Sequence, residues 1–172
     1  MLSIDAWLDE KPYKELYDGV VRAKVSPQSD HAKVALGCGI LFSRWAGARG
    51  DVGVEWRVYL VEGTTLVPDV AFFSRERLAL LSSTESQKPP FAPDIVIEVR
   101  SPDDRDENIR RKTELYLTHG ATIVLNVDPA ARTVLAIDAR SETTLREGDV
   151  VQHPAFPDLH IAVSEIFAPL HD

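Results

Sequence analysis

One cysteine, Cys38, is all that 172 residues contain, which excludes an internal disulfide framework and any zinc site built from several thiolates. Long apolar runs are missing too: none approaches the roughly 20 residues of a membrane-spanning helix. The opening Met1-Leu2-Ser3-Ile4-Asp5 lacks the basic and apolar regions of a secretory signal, so the cytoplasm is the expected compartment. Nor is there an excess of positive charge. The formal net charge of −8 argues against a surface that binds nucleic acid indiscriminately. It leaves room for a protein whose basic residues are concentrated locally. Arg100, Arg105, Arg110, Arg111 and Lys112 form the densest such group, interleaved with Asp103, Asp104, Asp106 and Glu107. His119, His153, His160 and His171 show no ligand-like spacing, which argues against zinc. Repeats, low-complexity tracts and linkers are absent, so one domain over residues 1–172 is expected, burying about two-thirds of its unfolded surface.

What is present centres on Ala92 to Gly120, which reads as a strand, a turn and a helix. Ile95, Ile97 and Val99 alternate with Asp94, Val96, Glu98 and Arg100, so a period of two places the charged set on one face. Charges in the middle of a sheet are costly to bury unless they are paired or bound. Ser101-Pro102-Asp103-Asp104 breaks the strand and offers N-cap oxygens, and Gly120 closes the helix as its C′ residue. Ile109, Lys112 and Tyr116 fall at spacings of three and four, which places Lys112 inside the apolar stripe. A lysine there needs a counter-charge, and Glu98 on the preceding strand is the nearest.

The rest of the chain reads as supporting structure. A short amphipathic helix is expected over Ser3 to Glu10, stopped by Pro12, and a hairpin over Tyr13 to Val25 turning at Asp18-Gly19. After Ser26-Pro27-Gln28-Ser29 a helix runs to about Gly47, with His31, Val34, Ala35, Cys38, Leu41, Phe42 and Trp45 as its stripe. Gly37 and Gly39 allow that helix to approach a sheet closely. Val52 to Leu60 and Leu66 to Phe73 read as strands, with Val54, Trp56, Val58 and Leu60 sharing a face and Pro68 marking an edge or a strand start. A short helix over Arg75 to Leu81 and a polar loop lead into the central strand. Beyond Gly120, Thr122 to Val127 is apolar enough for a strand covered on both faces, and Thr133 to Ile137 is its antiparallel neighbour. Short strands and a last helical turn at Ser164 to Phe167 follow. The fold class is therefore α/β or α+β, a mixed central sheet flanked by helices.

Asp94 and Glu98 share a face, but at about 3.3 Å per residue their Cα atoms lie roughly 13 Å apart, too far to bind one ion together. A partner for Glu98 comes more naturally from a neighbouring strand, where opposite residues lie roughly 5 Å apart, and Asp69 is the best candidate. Two such carboxylates suit Mg²⁺, which takes one or two and keeps several waters. The ion would activate a water for phosphodiester hydrolysis, and Lys112 would stabilise the charge developing on phosphorus. Arg100 shares the face of Glu98 but does not deprotonate, which makes it a poor proton shuttle. His31 lies on the core-facing stripe of its helix, where a packed histidine competes with a site role.

These residues, in this order, resemble the PD-(D/E)-x-K nuclease superfamily and, more closely, the Uma-type restriction endonucleases. The similarity runs through Glu15 to Gly19, Ser26-Pro27, His31, Pro68-Asp69 and Ala92-Pro93-Asp94. It continues through Glu98-Val99, Ser101-Pro102, Lys112, Tyr116, Gly120 and Val127-Asp128-Pro129. The resemblance implies a restriction-endonuclease-like core and cleavage of DNA with Mg²⁺ or Mn²⁺. It makes Asp69 and Glu98 the metal ligands, Glu15 an accessory acid and Lys112 the catalytic lysine moved from strand to helix. Arg100, Asp94 and His31 are secondary candidates. Arg100 stands where the superfamily usually has lysine. A homodimer is expected, because cutting both strands needs two sites or two turnovers. The competing reading is a nuclease-fold module that binds DNA or protein without cutting.

Overall fold

The computed structural model describes residues 14–17, 19–23, 28–61 and 63–170. The helix expected over Ser3 to Glu10, with Pro12, lies outside the described residues, as do Asp18 and Ser26-Pro27. A hairpin of β1 (Lys14–Tyr17) and β2 (Val20–Ala23) leads to α1 (Ser29–Ala46). There follow β3 (Gly50–Val54), β4 (Val58–Val61), β5 (Thr64–Leu66), β6 (Val70–Ser74) and a short α2 (Arg75–Leu78). The central unit is β7 (Ile95–Val99), α3 (Asp106–Thr118) and β8 (Ile123–Asp128). The chain continues with β9 (Thr133–Ile137), β10 (Glu142–Leu145), β11 (Val150–His153), β12 (Phe156–Ala162) and α4 (Val163–Phe167).

Six strands form a mixed central sheet in the order β10-β9-β8-β7-β6-β3. β7 and β8 run parallel, joined by the α3 crossover, while β3–β6, β6–β7, β8–β9 and β9–β10 are antiparallel. On one face α1 lays Val34, Cys38 and Phe42 against Val70, Phe72, Ile95, Ile97, Val99, Leu125 and Val127. On the other, Ala71, Phe73, Val96 and Val124 pack with Tyr116 of α3 and with Val58, Leu60 and Leu66 of a second, four-stranded sheet. Covered on both sides, β6, β7 and β8 carry apolar residues in both registers, as the continuous apolar run after Gly120 requires. Each large apolar side chain buried here contributes about 1.5–3 kcal/mol. Glu98 is the one charged side chain within β7.

Two expected strands prove to be four. Val52 to Leu60 splits into β3 and β4, which belong to different sheets. The chain breaks at Glu55, whose φ of 49° lies in the left-handed region. Val54, expected to face inward, is 60% exposed. Alternation fits a strand on either side of the break, and a period of two cannot tell one strand from a chain that changes sheets. Leu66 to Phe73 likewise divides into β5 and β6 around Val67-Pro68-Asp69, because proline has no N–H for the ladder. Asp69 thus sits in the link, its carbonyl accepting from Glu55 N–H at 3.2 Å.

Smaller corrections concern termini. Arg105, not Asp103 or Asp104, occupies the N-cap of α3 and makes no side-chain cap. The Asp104 carboxylate instead accepts from Ser101 N–H at 2.8 Å, closing the turn after β7. Gly120 does serve as C′, with φ at 98°. Gly37 lies against Pro169 rather than a sheet, whereas Gly39 does meet Val54 of β3. At Gly50 a Cβ would stand 2.0 Å from the Phe73 carbonyl oxygen, so β3 can approach β6 there only with glycine. The helix expected over Arg75 to Leu81 ends at Leu78.

Candidate active site

The register of the central sheet brings distant carboxylates together. Val70 pairs with Ile97, so one step further along this antiparallel ladder Asp69 faces Glu98. Asp69 Oδ2 takes up a ladder-like role by accepting from the Val99 N–H at 2.7 Å. The same oxygen lies 3.2 Å from His31 Nε2 at the start of α1. A loop acid released from β-geometry by Pro68 is thereby fixed by one strand and one helix.

Glu98 lies on the face of β7 covered by α3. Its Oε1 meets Lys112 Nζ at 2.9 Å and accepts from the Tyr116 hydroxyl at 2.7 Å. Lys112 and Tyr116 are one turn apart, so a single helix face delivers both donors. Lys112 also meets Glu15 Oε1 at 3.0 Å, and that oxygen accepts from the Val67 N–H at 3.0 Å. The ammonium therefore bridges the hairpin sheet and the central sheet. Its side chain is 15% exposed, enough burial to favour the neutral amine by desolvation. Glu15, Glu98 and Asp69 together outweigh that burial and raise its pKa above the ordinary lysine value. Lys112 is a fixed positive charge. Burial first, and then Glu98 and Glu15, hold the Tyr116 phenol well above its ordinary value as well.

Glu15, Asp69, Glu98, His31 and Lys112 line one end of a cleft of about 480 Å³. Arg22 of the hairpin, Arg100 and Arg110 line its walls. Arg100 follows β7, donates its N–H to Val127 O at 2.7 Å and reaches Asp106 Oδ1 at 2.6 Å. Arg22 reaches Asn108 Oδ1 at 3.1 Å, tying the hairpin to the first turn of α3. Asp94 does not line the cleft. It stands at the opposite end of β7, where Oδ2 accepts from Ser74 N–H at 2.7 Å and Oδ1 lies 3.5 Å from Arg77 Nη1. Six of the seven candidates from the sequence, all but Asp94, thus line one cleft.

Several participants were not assigned to the site from sequence. The backbone N–H groups of Val67 and Val99 carry no residue-type signal. Tyr116 showed itself at one helical turn from Lys112, but its acceptor depends on how α3 crosses β7. Asn126 faces Glu98 in the parallel register and donates to Thr113 Oγ1 at 3.0 Å. Cys38, behind Asp69, is a core residue whose thiol is pushed up to about 12 by burial and then by Asp69.

Among the described residues, no three His, Cys, Asp or Glu side chains converge as a complete metal cage. Mg²⁺ does not need one, since one or two carboxylates and waters suffice. Asp69 and Glu98 supply that donor set at facing positions. Their hard oxygen donors, rather than thiolate or imidazole, fit a hard divalent ion. No helix among the described residues is long and apolar enough to cross a membrane.

Comparison with known proteins bears on the family and the fold. The sequence matches the Uma2 family, described as "Putative restriction endonuclease", over residues 3–164, and the chain belongs to that family. A crystal structure of a "putative nuclease belonging to DUF820" from Anabaena variabilis superposes with a TM-score of 0.86 at 22% identity. The match covers 99% of this chain and 100% of that one, and it shows a shared fold. A structure of a DrdV–DNA complex matches at a TM-score of 0.48 and 16% identity, over 83% of this chain and 11% of that one. No curated protein matches the sequence.

Proposed function

We propose that the protein is a metal-dependent DNA endonuclease, with Asp69 and Glu98 as the ligands of Mg²⁺ or Mn²⁺. The observation that carries this reading is the Lys112 ammonium held between Glu15 and Glu98, beside Asp69, at the end of a cleft. When bound, the ion polarises a phosphoryl oxygen and lowers the pKa of a coordinated water. Lys112, kept protonated by three carboxylates, stabilises negative charge that develops on the scissile phosphate. Its direct ion pairs with Glu15 and Glu98 favour the ammonium over the neutral amine that a general base requires. Glu15, itself fixed by the Val67 N–H, holds that ammonium in position, which is how an acid on the hairpin sheet contributes. Arg22, Arg100 and Arg110 on the cleft walls suit phosphates on either side of the cut. A homodimer acting in the cytoplasm would bring two such sites to the two strands of a duplex.

A second reading has its own observation. Arg100, standing in the superfamily's lysine position, is engaged with Asp106 at 2.6 Å, which suits a binding module without catalysis. Supercoiled plasmid incubated with Mg²⁺ or Mn²⁺ separates the two. Metal-dependent nicking by the wild type that disappears in Glu98→Ala supports the nuclease. Silence of the wild type across metals and DNA forms supports the module.

A further inference from the structure

We propose that Tyr116 is a positioning residue for Glu98, setting the direction of its carboxylate while Lys112 supplies charge; this rests on the nuclease reading above. Oε1 of Glu98 is claimed twice, by Lys112 Nζ at 2.9 Å and by the Tyr116 hydroxyl at 2.7 Å. Both donors come from successive turns of α3, a rigid element closed at Gly120 and latched there by Arg77 Nη1 on the Gly120 carbonyl at 2.7 Å. The Tyr116 ring is fully buried among Val96, Val124, Ala92 and Ala121, so its hydroxyl has no freedom to wander. Two donors at fixed points on one oxygen lock the carboxylate plane, which a single flexible lysine does not.

The chemistry explains why the second donor is a phenol. A further ammonium would cancel the charge that a divalent ion needs from Glu98. A neutral hydroxyl orients the carboxylate and leaves its charge intact. The register neighbour Asn126 donates to Thr113, which donates to the Ile109 carbonyl at 2.9 Å. A structural role alone would require only that a buried phenol find some acceptor.

Tyr116→Phe removes the hydroxyl and keeps the ring. Partners that orient a metal ligand typically matter about 10- to 100-fold in metal affinity or activity, so Mn²⁺ binding by calorimetry should weaken about tenfold. The kcat should fall with the KM for DNA unchanged, and the Tm should fall only as far as the loss of one hydrogen bond to a charged group requires. A lowered Tm with wild-type Mn²⁺ affinity and kcat would overturn the proposal. A crystal structure of the variant, which needs neither metal nor DNA, decides independently. A Glu98 carboxylate rotated away from its wild-type direction supports the positioning role, and one that keeps it contradicts the role. Should the wild type bind no Mn²⁺ and cut no DNA, the nuclease reading fails while that structure still judges Tyr116.

Discussion

Asp94 and Glu98 flank one strand on the same face, four residues apart, and the fold puts them to opposite uses. Asp94 is met by the Ser74 N–H and Arg77, groups that satisfy one carboxylate and tie the start of α2 to the central sheet. Arg77 in turn holds the Gly120 carbonyl, so this end of β7 is a brace between α2 and the close of α3. Glu98 is met by Lys112 and Tyr116, with Glu15 and Asp69 close enough to act on the same ammonium. At one end donors match acids and the charge is settled. At the other, the carboxylates of Glu15, Asp69 and Glu98 gather with Lys112 and His31 on the lining of a cleft. The lesson is that a shared face says little about role, and that the local balance of charge says more.

The two ends of β7 differ most in what rests on Lys112. Removing one member of a buried ion pair leaves uncompensated charge and costs about 3–5 kcal/mol, so Lys112→Met should lower the unfolding free energy read from urea denaturation by that amount and abolish cleavage. Its pH dependence follows from sign. A lysine whose pKa is higher folded than unfolded contributes stability that is complete below its ordinary value and is lost as pH rises through the folded value. The stability gap between wild type and Lys112→Met should therefore stay constant from neutral pH to about 10 and narrow only above that. A gap that already closes between pH 7 and 9 would show that Lys112 is not held as an ammonium.

At the settled end the expected effect is smaller and purely structural. Asp94→Asn weakens a charge-assisted hydrogen bond to the Ser74 N–H, for a loss of about 1.5–3 kcal/mol read as a lower Tm. Smallest is Cys38, whose thiol, pushed up to about 12 by burial, should not react with a thiol reagent at pH 8 until urea unfolds the chain. Prompt labelling of the native protein would place α1 off the sheet and undo the surroundings of Asp69.

Much of this was legible in the sequence, and for definite reasons. The alternation of Ile95, Ile97 and Val99 gave β7, and the helical spacing of Lys112 put it under an obligation to find an acid, which Glu98 meets. Asp69 was reachable because opposite strand positions are near in space, although it reaches Glu98 from a loop after Pro68 and not from within a strand. Glu15 came only through the family resemblance, since nothing local says that a hairpin acid crosses to α3. The sheet changes at Glu55 and Pro68 escaped because hydrophobic alternation continues across both. The hydroxyl of Tyr116 and the Val67 and Val99 N–H groups escaped because their partners are set by packing between elements.

The division of labour along β7 is open to direct test by paired plasmid cleavage. Glu98→Gln and Asp94→Asn make the same chemical change at the two ends of the strand. With Mg²⁺ or Mn²⁺, at a temperature where both variants are folded, Glu98→Gln should cut about a thousandfold more slowly than wild type. Asp94→Asn should stay within about threefold, beyond the short reach of a site it does not line. Equal losses in both variants, or cleavage by Glu98→Gln at the wild-type rate, would contradict the assignment.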